Sequence, residues 1–80
     1  METTAHHISI RLANDQDDRT LLRLAALDSA PAPDGSVLVA DVDGEIVAAH
    51  SLKKHRSIAD PFRATADVRE LLELRARQAA

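Results

Sequence analysis

The chain has 80 residues, of which 45% are hydrophobic and 29% charged, with a formal net charge of −3 and no cysteine. These figures fit one small domain and exclude a disulfide scaffold, a cysteine-ligated metal and a thiol redox site. Phe62 is the single residue among Phe, Trp and Tyr. That excludes a stacking platform for single-stranded nucleic acid and leaves the core to Leu, Val, Ile and Ala.

No apolar run approaches the roughly 18 residues of a membrane span. Residues 1–7 have neither the basic start nor the apolar stretch of a signal peptide. A cytoplasmic location is therefore expected, without a membrane partner. Those seven residues are expected to be mobile, as chain termini commonly are.

Ile8-Ser9-Ile10-Arg11-Leu12 alternates strictly and predicts a half-buried strand. The short polar run Asn14-Asp15-Gln16-Asp17-Asp18 can cap a helix and suits the positive end of its dipole. A helix is predicted from Asp17 to Ser29, with Leu21, Leu24, Ala25 and Asp28 on one face and Leu22 and Leu27 widening the stripe. Ala30-Pro31-Ala32-Pro33-Asp34-Gly35 can neither continue it nor pair in a sheet.

Asp43-Gly44 is a type I′ hairpin signal between the apolar run that begins at Ser36 and a return strand to about Lys54. A two-residue turn sets Val42 opposite Glu45, Ala40 opposite Val47 and Leu38 opposite Ala49. On the other side it sets Asp41 opposite Ile46, Val39 opposite Ala48 and Val37 opposite His50. Both sides are apolar at the centre, so both faces should be covered by helices.

A short strand around Ile58 is ended by Pro61. The second helix is capped by Thr65 or Asp67, with Val68, Leu71, Leu72 and Ala76 as its apolar stripe and Leu74 and Ala79 beside it. The fold class is thus α+β: an antiparallel three- to four-stranded sheet with two helices, in the order β-α-β-β-β-α. The 80 residues show no internal repeat and no dividing linker.

Candidate chemistry is sparse. His6 and His7 are adjacent and point apart in an extended chain, and no metal site is assigned to them. His50 reads as a satisfied or edge-facing strand histidine. Asp41 sits in an apolar strand, where it either faces solvent near the sheet's end or pairs with an arginine from a helix. Residues 1–52 carry three arginines against nine acids, net −6, and residues 53–80 carry seven bases against four acids, net +3. Lys53-Lys54-His55-Arg56 is the one basic cluster. A basic turn on an acidic chain reads first as a solvated end, so nucleic-acid binding is not favoured, and a nucleic-acid or partner-regulatory module using Lys53 to Arg56 stays as an alternative role.

Two segments bear a family resemblance. Ile8-Ser9-Ile10-Arg11-Leu12-Ala13, with Asp17-Asp18 and Leu21-Leu22-Arg23-Leu24, resembles the opening strand and helix of Gcn5-related N-acetyltransferases (GNAT). Val37 to Ala48, with Asp43-Gly44-Glu45 at its turn, resembles the family's next hairpin. The resemblance spans residues 8 to about 76. It implies that the loop Arg63-Ala64-Thr65-Ala66 stands where the family cradles the pyrophosphate of acetyl-CoA on backbone N–H groups at a helix N-terminus. In that register Ala66 replaces the first glycine and Val68 the second small residue, while Asp67 brings a negative charge to an anion's place.

The resemblance therefore implies a truncated, GNAT-like half-fold without acetyltransferase activity. Its loop is degenerate, the family's acyl-transfer tyrosine has no counterpart, and no cofactor is expected. Arg63, Ala64, Thr65 and Ala66 are left as a weak anion loop, and a small-molecule ligand stays open. A core poor in aromatics and rich in Ala suggests that part of it lies between subunits, so a homodimer is expected, with the sheet edge near Ile58 as one place to pair.

Overall fold

The computed structural model describes residues 7–63 and 65–79. The mobility expected of residues 1–6 lies outside them, as do Ala64 and the side chain of Ala79. The elements are β1 (Ile8–Leu12), a 3-10 turn (Asp15–Asp17), α1 (Asp18–Leu27), β2 (Val37–Val42), β3 (Glu45–Ser51), β4 (Arg56–Ala59) and α2 (Ala66–Ala79). The four strands form one antiparallel sheet in the order β1-β2-β3-β4. The α+β class and the element order match what the sequence predicts.

Each helix covers one face of the sheet. Leu21, Leu24 and Ala25 of α1 pack with Val37, Val39, Ala49 and Ile58. Val68, Leu72 and Ala76 of α2 pack with Leu38, Ala40, Val47, Ala48 and Ala59. The alanines of β2, β3 and β4 are buried with almost no exposure. Their small side chains bring the helices close to the sheet, which is how a core without aromatic bulk fills its volume.

The start of α1 is set by Asn14. Its side chain accepts from the Gln16 amide at 2.9 Å, and the Asp17 carboxylate accepts from the Asn14 amide at 2.8 Å. This capping box closes a 3-10 turn, so regular helix begins at Asp18 rather than Asp17. The helix ends in a Schellman motif: the Ala30 amide donates to the Ala25 carbonyl and the Ser29 amide to the Ala26 carbonyl, with Ser29 at φ 51°.

The hairpin turn forms as expected, with Asp43 at φ 55°, Gly44 at φ 90° and Val42 opposite Glu45. Beyond it the register departs from the sequence reading. Asp41 faces Ile46, but Ala40 faces Ala48, Val39 faces Ala49, Leu38 faces His50 and Val37 faces Ser51. Val47 is the extra residue of a β-bulge. Val47 and Ala48 consequently both lie under α2, while Ile46 and Ala49 lie under α1. Every side chain from Ala48 onward changes face relative to an unbulged hairpin. Strand β3 also ends at Ser51, earlier than Lys54, because residues 52–55 form the turn into β4.

Three expected stripe positions are corrected: Leu22 and Leu27 on α1 and Leu71 on α2. Leu22 stays largely exposed on α1, since the sheet contact is filled by Leu21, Leu24 and Ala25. Leu71 is also exposed on α2, where the buried line runs Val68, Leu72, Ala76 at a four-residue spacing.

Candidate functional site

Three regions combine shape with chemistry, and each is built by a particular junction in the fold. The first is the anion loop expected from sequence. Thr65 occupies the cap position of α2, its carbonyl accepting the Arg69 amide at 2.8 Å. Arg63 and Thr65 line a cleft of about 360 Å3, but its other walls are Ile8, Val42, Val47 and Val68, with Asp67 at the rim. Arg63 Nη1 donates to Glu45 Oε1 at 2.6 Å, an exposed pair that joins the loop to the hairpin. Asp67 sits in the first turn of α2, so its carboxylate already answers the positive end of the helix dipole. Ala66 is the first residue of α2.

The second region is a cleft of about 330 Å3 between α1 and the turn end of the hairpin, with Asp41, Glu45, Asp60, Arg11, Arg23 and Asp17 among its walls. Most of these charges answer one another. Arg11 donates two bonds to the Asp17 carboxylate, at 2.8 and 3.0 Å. Those bonds, together with the Asn14 amide, hold the Asp17 carboxyl at about 2, below its ordinary 3.8. Asp41 adds its charge to the field at Arg11. The arginine whose field Asp41 shares is thus on β1, not on a helix as expected.

The third region is a polar chain on the α2 side of β3 and β4. The bulge turns His50 onto this face, opposite Ser57. His50 Nδ1 and Ser57 Oγ lie 2.7 Å apart, and Ser57 Oγ lies 3.4 Å from Glu73 Oε2. One hydroxyl proton serves one acceptor at a time, so Ser57 either donates to His50 or relays between a protonated Nδ1 and Glu73. Burial lowers the His50 pKa, Glu73 raises it and His55 lowers it further. The grouping has the residue types of a nucleophile and base, yet neither His50 nor Ser57 lines any of the described clefts. It pins α2 to the sheet. The reading of His50 as a satisfied strand histidine stands, and its partners could be found only with the bulged register in hand.

The basic cluster forms the exposed β3–β4 turn, with Lys54 Nζ 3.5 Å from Asp34. Among the described residues no group of histidine, cysteine and acid side chains could hold a metal ion. Among the described residues no helix is long and apolar enough to cross a membrane.

What remains unspent is apolar surface and sheet edge. Ile8 and Leu12 on β1 are 38% and 59% exposed, and Leu71 and Leu74 on α2 are 42% and 43% exposed. Phe62 is 81% exposed on the β4–α2 loop, where its amide donates to Asp60 Oδ1 at 2.8 Å. Sequence reasoning missed this distribution. The signal for it was the excess of Leu on both helices over what one narrow stripe can bury. Comparison with known proteins found no matching family model, no matching curated protein and no matching solved structure.

Proposed function

We propose that this chain is a non-catalytic interaction module that associates with itself, built on the first half of a GNAT-like fold. The observation that carries the reading is the contrast between spent polar groups and unspent apolar ones. The arginine of the expected anion loop pairs with Glu45, and the bidentate Arg11–Asp17 pair occupies the charged cleft. Meanwhile Ile8 and Leu12 of β1 and Leu71 and Leu74 of α2 each keep more than a third of their surface in water. Large aliphatic side chains left in water are where a partner surface gains burial.

Support for the GNAT-like part of the reading comes from the motifs at Ile8–Ala13 and Val37–Ala48, which resemble that family, on a chain whose element order is β-α-β-β-β-α. The loop into α2 gives no support to acyl transfer, because Ala66, Asp67 and Val68 oppose a pyrophosphate where glycine would admit it.

Light scattering after size-exclusion chromatography tests the reading. The expected result at tens of micromolar is a mass twice the 8.7 kDa of one chain. A monomer up to millimolar concentration would remove it.

A further inference from the structure

The sheet has two edges, β1 and β4, and they are not equivalent. At β4 the outward amide of Ala59 donates to Asp28 Oδ2 at 3.2 Å. Pro31 and Pro33 stand beside Arg56 and Ile58 along that strand. Proline, charge and a capped amide are the devices by which an edge is kept from pairing.

At β1 the described residues include no proline and no outward amide held by a side chain; Arg11 is the one charge, and its Nη1 donates to the outward Leu12 carbonyl at 3.2 Å, leaving the amides of Ile8, Ile10 and Leu12 as the open donors of the edge. The Ala13 amide donates to the Val37 carbonyl at 2.8 Å, and the Asp43 amide to the His7 carbonyl at 2.9 Å. Odd-numbered residues of β1 therefore turn their main-chain groups inward to β2. Ile8, Ile10 and Leu12 turn theirs outward. The same three side chains share the α2 face, since their partners Val42, Ala40 and Leu38 lie there.

We infer that the β1 edge is the self-association surface, pairing antiparallel with β1 of a second copy about a two-fold axis at Ile10. This rests on the reading of the chain as a self-associating module and names its interface. The segment is self-complementary in that register. Ile10 meets Ile10 and Ile8 meets Leu12 on the α2 face, while Ser9 meets Arg11 on the other. No like charges are opposed, and Arg11 is already held by Asp17 on its own chain. The two four-stranded sheets become one, and the aliphatic rows of both strands adjoin. A two-fold interface of this kind closes, so association stops at two.

The absence of cysteine makes the test clean. Paired Cα atoms on the axis lie about 5.5 Å apart in a hydrogen-bonded antiparallel pair, within the reach of a disulfide. Ile10→Cys should crosslink to a covalent dimer under mild oxidation, and Arg56→Cys on β4 should not. Leu12→Lys places a charge at an exposed edge position without touching the core, and should weaken the dimer at least tenfold by light scattering. If wild type is a dimer but Arg56→Cys crosslinks in place of Ile10→Cys, or Leu12→Lys leaves the dimer intact, the β1 interface is overturned and self-association survives. A wild-type monomer overturns both.

Discussion

Arg11 and Asp17 meet across the turn from β1 into α1, and the pair does three jobs. Asp17 accepts two guanidinium bonds, accepts the Asn14 amide and so starts the helix. Charge-assisted bidentate contacts are the stronger kind, and the carboxylate is nearly buried. Removing it with Asp17→Ala should cost about 1–3 kcal/mol, read as a lower midpoint in urea or thermal unfolding. The folded pKa of about 2 lies below the ordinary 3.8. The stabilisation is therefore complete above about pH 4 and is lost as pH falls towards 2. In the Asp17→Ala variant that part of the acid destabilisation should vanish, and an unchanged acid profile would contradict the role given to Asp17. None of this pairing was legible in the sequence. Alternation placed Arg11 on a strand face and composition placed Asp17 in a capping run, but neither said that the turn would bring them together.

At the scale of elements, local signals were read well wherever one residue type has one job. Asp43-Gly44 made its turn because both positions need positive φ. The alternation of Ile8 to Leu12 made its strand. The bulge at Val47 was not legible, because Ile46-Val47-Ala48-Ala49 is apolar at both parities and a slip of one residue leaves no polar side chain to object. The consequence was carried by His50, which the slip turns towards Ser57 and Glu73.

The end of α1 leads to a prediction at this scale. Ser29 holds a left-handed conformation at φ 51° and is exposed, so its side chain is a steric cost with no contact to lose. Ser29→Gly should raise unfolding stability by about 1 kcal/mol. A destabilised variant, measured by chemical denaturation, would show that the helix end is held otherwise.

At the scale of the whole molecule, a chain of this length buries only about 60–65% of its unfolded surface. Its exposed leucines and isoleucines mark where more could be buried. Most of the fold was legible from periodicity. The candidate site was legible only as a loop, because the partner of Arg63 lies eighteen residues away on another element and long-range pairing leaves no mark on local pattern. The open edge at β1 and the guarded edge at β4 emerge only once strand order and register are known.

Amide hydrogen exchange at Ile10 tests this account most directly. Its N–H points out of the edge, while that of Arg11 next to it bonds to β2. The account predicts that Ile10 is protected at high protein concentration and loses protection on dilution, with Arg11 protected throughout. Fast exchange at Ile10 at every concentration, beside a protected Arg11, would contradict it.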